Sequence, residues 1–285
     1  MTITLGSSTQ HTPKPRVLVF DSGVGGLSVA REIQQRLPGL SLVYASDNGF
    51  FPYGTKGEAE LIIRVDKVIN ALLRQYPADI LVIACNTAST LTLPHLRSQL
   101  SLPIVGVVPA IKPAARQTQT GVIGLLATPA TVARPYTHEL IREYATGCEV
   151  ISVGSSELVQ IAEKKLRGEP INISTIKQIT DELFKTSLHV GSSTAMDVLV
   201  LACTHFPLLR TELSQCLPSQ LKIIDSGEAI ARRVEFLLKE KNFPSNLTEP
   251  VKHIAVFTKQ TDEAERLKPA LESFGIFHQE YLKHT

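Results

Sequence analysis

Residues Ile80 to Ser89 read I-L-V-I-A-C-N-T-A-S, and the fold follows from this stretch. Five apolar residues run unbroken into Cys85, and small polar residues come next. A continuous apolar run of that kind belongs to a strand covered on both faces, hence to a parallel sheet, feeding a loop and a helix. Open α/β sheets bind ligands at the carboxyl ends of such strands. The phrase returns at Val198 to Pro207, V-L-V-L-A-C-T-H-F-P, where an apolar strand again delivers Ala-Cys and then a polar pair. Two strand-end cysteines of matching context are hard to explain as packing alone.

Outward from there the chain alternates. Arg16 to Phe20 is a strand ending at Asp21, followed by S-G-V-G-G-L-S, whose glycines at 23, 25 and 26 suit a tight strand-to-helix turn where backbone approaches a ligand. A helix runs to about Leu37, Leu42 to Ala45 is a strand, and Glu58 to Gln75 is helical by its apolar spacing. The helix after Cys85 is expected to stop at Pro94 or shortly after, and Ile104 to Val108 is the next strand. Helices are expected around 109–117, 131–145, 156–167, 172–187, 208–217, 227–240 and 261–274. Strands are expected at 121–127, 149–153, 197–202, 221–225 and 253–257. Such alternation means an α/β fold with doubly wound parallel sheets. The two Ala-Cys phrases, with D-S-G at both 21–23 and 225–227, hint at a weak internal duplication.

The 285 residues, 43% of them apolar, suffice for two ordinary domains. A formal net charge of +2 points to neither direct nucleic-acid binding nor an anionic membrane. Four cysteines, none in a C-x-x-C pair, argue against a disulfide framework and for a reducing, cytoplasmic compartment. Residues 1–14 read as a loose polar extension rather than a secretory signal. No apolar run approaches membrane-spanning length.

The glycine turn is not a dinucleotide fingerprint, because Ser28 stands where G-x-G-x-x-G needs its last glycine, and no Walker Gly-Lys-Ser/Thr is present. Cys148 and Cys216 read as structural, since free cysteine is commonly a small buried hydrophobe. Cys85 and Cys203 differ: a strand-end thiol beside polar groups can be activated by a neighbouring acid or base. His205 lies two residues past Cys203, on the same side of an extended chain. Asp21, at a nearby strand tip, could partner Cys85. Three chemistries fit. A Cys-His nucleophile leaves the second cysteine unexplained. A zinc site could use Cys85, Cys203, His205 and a carboxylate, with ligands arriving singly from distant strands. A two-base enzyme uses both thiols, one on each face of a carbon acid.

In this order and spacing, D-S-G-V-G-G-L-S, D-N-G-F-F-P-Y-G, A-C-N-T-A-S and A-C-T-H-F-P closely resemble the motifs of glutamate racemases in the cofactor-independent aspartate/glutamate racemase family, over about residues 16–240. The resemblance implies two α/β domains related by pseudo-twofold symmetry with the active site between them. The first would comprise 15–108 plus 225–285, and the second would be inserted at 109–224. It implies Cys85 and Cys203 as catalytic thiols, Asp21 assisting the first and His205 the second. Asp21, Ser22, Pro52, Tyr53, Gly54, Asn86, Thr87, Thr204 and His205 would surround L- or D-glutamate, with Thr128 a further contact. Hydroxyls, an amide and strand-end N–H groups are the donors a dicarboxylate needs. Glu163, in the phrase I-A-E, matches a family carboxylate near the second half-site; the competing reading is a solvated helix charge. No cofactor and no metal are implied, and D-glutamate would supply peptidoglycan synthesis from a monomer or homodimer. The segment G-V-V-P-A-I-K-P-A-A-R at 106–116 is similar to the enteric-type subgroup, which implies UDP-N-acetylmuramoyl-L-alanine as activator. The competing functions are aspartate racemase or another two-cysteine amino-acid racemase, then a zinc-dependent hydrolase or a non-catalytic binding protein.

Overall fold

Val17 and Val19 turn to one face of the first strand, Leu18 and Phe20 to the other, and all four are fully buried in two separate apolar clusters. Burial on both faces is why this strand reads as an uninterrupted apolar run rather than an alternating one. Each such side chain stabilises the fold by roughly 1.5–3 kcal/mol relative to exposure.

A computed structural model describes residues 14–189, 195–243 and 251–283. The extension expected over 1–14 lies, except for Lys14, outside these described residues. The elements begin with β1 (Arg16–Asp21), α1 (Leu27–Arg36), β2 (Ser41–Ser46), a 3-10 turn (Tyr53–Thr55), α2 (Glu58–Gln75), β3 (Ile80–Ile83), α3 (Asn86–Gln99) and β4 (Ile104–Gly106). There follow α4 (Ile111–Gln117), β5 (Val122–Ala127), α5 (Pro129–Val132), α6 (Pro135–Tyr144), β6 (Glu149–Gly154), α7 (Glu157–Leu166), α8 (Ile173–His189) and β7 (Val198–Leu201). The chain continues through a 3-10 turn (Phe206–Leu209), α9 (Arg210–Cys216), β8 (Lys222–Ile224), α10 (Gly227–Glu240), β9 (Ile254–Phe257), α11 (Asp262–Glu265), α12 (Lys268–Ser273) and β10 (His278–Tyr281).

Two parallel sheets result, in the orders β10-β9-β2-β1-β3-β4 and β6-β5-β7-β8. Four neighbours in the first, β2-β1-β3-β4, repeat the order of the second, and Cys85 and Cys203 both lie just past the third strand of that set. The Ala-Cys repeat is therefore a topological equivalence. The D-S-G repeat is not, because Asp21 ends a first strand whereas Asp225 follows a fourth. The second sheet is likewise covered on both faces: Leu199 and Leu201 enter one cluster, Val198 and Val200 the other. After the second sheet the chain returns, and Ile230, Ala231 and Val234 of α10 share a cluster with Val29, Ala30 and Ile33 of α1.

Three expectations change, and one strand was not foreseen. Helix α3 does not stop at Pro94 but runs on to Gln99. Proline there removes one backbone hydrogen bond, a cost of about 3 kcal/mol, which the burial of Leu93 and Leu96 against the first sheet offsets. The helix expected over 131–145 is two, α5 and α6, because Pro135 opens a new first turn. The helix expected over 261–274 is also two, with Pro269 near the start of the second. Strand β10 escapes sequence reading: H-Q-E-Y at the sheet edge alternates between exposed and half-buried and carries no apolar run.

Candidate active site

Both strand-end thiols come from the carboxyl edges of their sheets and line one cavity between the two domains. It has about 40 Å³ of space for solvent, enough for a few waters. Ser22, Pro52, Tyr53, Gly54, Asn86, Thr128, Thr204 and His205 line it with Cys85 and Cys203.

On the first domain's side, Cys85 sits in extended backbone immediately before α3. Ser22 Oγ lies 3.8 Å from its sulfur. Burial pushes the Cys85 thiol well above its usual range and the Asp21 carboxylate adds to the rise, while the Ala88 N–H and Ser22 work the other way. Asp21 does not line the cavity. It is fully buried behind it, and its carboxylate accepts the N–H groups of Ser22 at 2.7 Å and Gly26 at 2.6 Å. Burial raises its pKa, against the pull of His205 and those two N–H groups. Asp21 thus acts on Cys85 through charge and through the placing of Ser22. Thr87 is buried in the first turn of α3 and is also absent from the lining.

On the second domain's side, Cys203 Sγ lies 3.8 Å from His205 Nδ1, and His205 Nε2 lies 2.9 Å from Glu163 Oε1. The same Glu163 oxygen accepts the Val24 N–H of the first domain at 2.8 Å. Glu163, on α7, is 6% exposed, so the solvated-charge reading is wrong. Burial opposes charge on His205, but its contacts with Cys203 and Glu163 outweigh that and hold its pKa well above the usual value. His205 thus bridges Glu163 and the Cys203 sulfur through its two ring nitrogens. Glycine at 25 permits this approach: a Cβ there would fall 2.5 Å from His205 Nδ1 and 2.7 Å from Thr204 Oγ1. At Gly23 it would collide with Glu163 Oε1. The glycine turn therefore makes room for Glu163, Thr204 and His205 of the other domain.

Some polar groups on the wall are committed elsewhere. The Tyr53 hydroxyl donates to Asp47, which also takes Arg64 and the Thr258 hydroxyl. Thr128 Oγ1 donates to Thr131 Oγ1 and accepts the Thr131 N–H as a helix cap. Asn86 is different: its Oδ1 is buried without a partner, which leaves an acceptor for a substrate ammonium. Sequence reading missed Phe51, Thr55, Ser156, Val159 and Gln160, which complete the lining. Phe51 packs on His205 with ring centroids 6.0 Å apart, and its signal was its place inside D-N-G-F-F-P-Y-G. The residues of α7 and its approach carried no signal, because only folding brings that helix to the cleft. Among the described residues, no three His, Cys, Asp or Glu side chains gather to hold a metal.

Paired parallel sheets with a thiol from each facing one cavity define an amino-acid-racemase type of protein, and the chain belongs to the Asp/Glu/hydantoin racemase family, whose sequence profile matches residues 23–234. Within it, the glutamate racemase of Salmonella typhimurium is 48% identical over 270 residues, covering 95% of this chain and 93% of the relative. The crystal structure of Escherichia coli glutamate racemase with L-glutamate and the activator UDP-MurNAc-Ala is similar at a TM-score of 0.85 and 48% identity, covering 95% of this chain and 98% of that one. A glutamate racemase isoform from Bacillus anthracis follows at a TM-score of 0.78 and 30% identity, covering 96% and 98%.

Proposed function

We propose that this protein interconverts L- and D-glutamate by proton transfer at Cα between two thiols, with neither metal nor pyridoxal phosphate. The observation that carries this is the pairing of Cys85 and Cys203 across one cavity, each with its own ionisable support. Inverting a stereocentre needs a base on one face and an acid on the other. With L-glutamate, Cys203 backed by His205 takes the Cα proton. The electron pair left on Cα is stabilised by donors around the substrate carboxylates, among them Ser22 and Thr204 and the N–H groups at the strand ends. Cys85, kept protonated by its raised pKa, delivers its proton to the opposite face. One C–H bond breaks, one forms, and each thiol changes by one proton. With D-glutamate the roles reverse and Asp21 supports Cys85 as base. Asn86 Oδ1 accepts from the ammonium.

The relatives' names extend the proposal. D-Glutamate supplies peptidoglycan synthesis, and UDP-N-acetylmuramoyl-L-alanine activates the enzyme, as it is described to do for the Escherichia coli protein. The domains divide as 15–108 plus 225–285 and 109–224. No described helix is long and apolar enough to cross a membrane, and all four cysteines are free, which supports a cytoplasmic setting. The deciding experiment is chiral analysis of glutamate after incubation with chelator-treated, cofactor-free protein. Either pure enantiomer should become a racemate. Activity that vanishes on chelation and returns with zinc refutes the reading.

A further inference from the structure

Ser28 is the residue that breaks the dinucleotide fingerprint, and the reaction proposed above gives it no part. It sits half-buried at the second position of α1, in the first domain. Its hydroxyl oxygen lies 2.8 Å from the carbonyl oxygen of Thr204 and 2.8 Å from that of Gly25. A hydroxyl has one proton to give. The Gly25 carbonyl already accepts the Ser28 N–H at 3.0 Å, whereas no other donor among the described residues reaches the Thr204 carbonyl. Thr204 is 5% exposed, and a buried carbonyl without a donor is costly. The Ser28 proton therefore belongs on Thr204. This bond runs from the first domain to the residue that stands between Cys203 and His205.

We propose that Ser28 is a positioning residue of the Cys203 half-site, holding the Thr204–His205 peptide so that the His205 ring meets the Cys203 sulfur. The inference rests on the racemase reading above. A peptide unit is planar, so fixing the Thr204 carbonyl also fixes the orientation of the His205 N–H and the direction in which the ring leaves the backbone. His205 holds φ −70° and ψ −32°, with Nδ1 3.8 Å from Cys203 Sγ. The other half-site does not depend on this hydroxyl. Cys85 has Ser22 Oγ at 3.8 Å, and Asp21 holds the N–H groups of Ser22 and Gly26. The turn itself is closed by backbone bonds, Leu27 N–H to Val24 and Ser28 N–H to Gly25, which survive loss of the hydroxyl. Ser28 is also absent from the lining of the substrate cavity, so its removal leaves the substrate's own contacts in place.

The test measures halide release by the full chain from L- and D-glutamate bearing a halogen at Cβ. Loss of the Cα proton expels the halide from Cβ, so release needs only one thiol: Cys203 for the L form, Cys85 for the D form. Ser28→Val and Ser28→Thr have nearly the same shape and differ in the hydroxyl. A shift of 1 Å at a reacting group costs about 100-fold, and a tilted peptide moves the ring by less. Ser28→Val should therefore lower kcat for the L form by roughly five- to tenfold. KM for the L form and both constants for the D form should stay within about twofold. Ser28→Thr should recover most of the loss. Ser28→Ala, which also lacks the donor, decides where neither larger residue folds, and should show the same preference for the L form. An equal fall for both enantiomers, a change in KM alone, no change at all, or threonine failing as badly as valine overturns the positioning role. If the unmutated protein neither racemises glutamate nor releases halide from either enantiomer, the racemase reading fails instead.

Discussion

Replacing Cys85 by alanine separates the two halves of the reaction. The sulfur is buried, with Ser22 Oγ at 3.8 Å and the Ala88 N–H as its polar neighbours. Deleting it removes one atom's transfer free energy and leaves a void smaller than a methylene pair, together costing about 1–2 kcal/mol. That is small beside the roughly 5–15 kcal/mol of a typical domain, so the variant should fold. The chemical loss is larger. A positioned acid or base contributes about 10²–10⁴-fold in rate, which corresponds to about 2.7–5.5 kcal/mol of barrier. Racemisation from either enantiomer should therefore fall by at least that factor, because each direction needs both thiols. One partial reaction should survive. Cys203 with His205 still removes the Cα proton of L-glutamate and returns a solvent one, so in D₂O L-glutamate should gain deuterium without changing hand, and D-glutamate should not. The assay is chiral separation followed by mass spectrometry at low conversion. Near-normal racemisation removes Cys85 from the mechanism, and exchange confined to D-glutamate reverses the assignment of thiols to enantiomers.

Further outcomes are expected. Glutamate should exceed aspartate in kcat/KM by roughly tenfold or more, because the shorter substrate leaves a carboxylate short of its donors at about 1–3 kcal/mol per unpaired group; equal values contradict the site assignment. UDP-N-acetylmuramoyl-L-alanine should change kcat or KM several-fold, the range of coupling between separate sites at about 1–3 kcal/mol; identical kinetics with and without it rule the activator out. Gly25→Ala should cost about 1–3 kcal/mol by overpacking and lower kcat, since the new Cβ falls 2.5 Å from His205 Nδ1; unchanged kcat and Tm show that the loop yields freely. His205 has its folded pKa raised above 6.5, so its contribution to stability is fully present below about that pH and lost as pH climbs through the higher folded value. The melting-temperature margin of the protein over His205→Asn should accordingly be widest in mild acid and shrink in alkali; a margin that grows with pH shows that His205 is neutral in the folded state.

The α/β class and the placing of both cysteines at strand ends were legible in local order: apolar runs covered on both faces, and polar residues directly following them. Most of the remaining cavity lining was implied only by the resemblance of its motifs to a family. Glycine positions were legible too, but not their purpose, since Gly23 and Gly25 matter for side chains that arrive from the other domain. Helix α3 running through Pro94 and the polar edge strand β10 were beyond local rules, because burial and sheet position outweigh propensity there. Only tertiary structure decided that Asp21 stands behind the cavity while Ser22 faces the sulfur, and that the Tyr53 hydroxyl is spent on Asp47. It also made Glu163 a buried partner of His205 rather than a solvated helix charge. The physical reason is common to all of these. Local sequence specifies which strand end carries a group, whereas charge, burial and free hydrogen-bonding capacity depend on what the opposite domain brings against it.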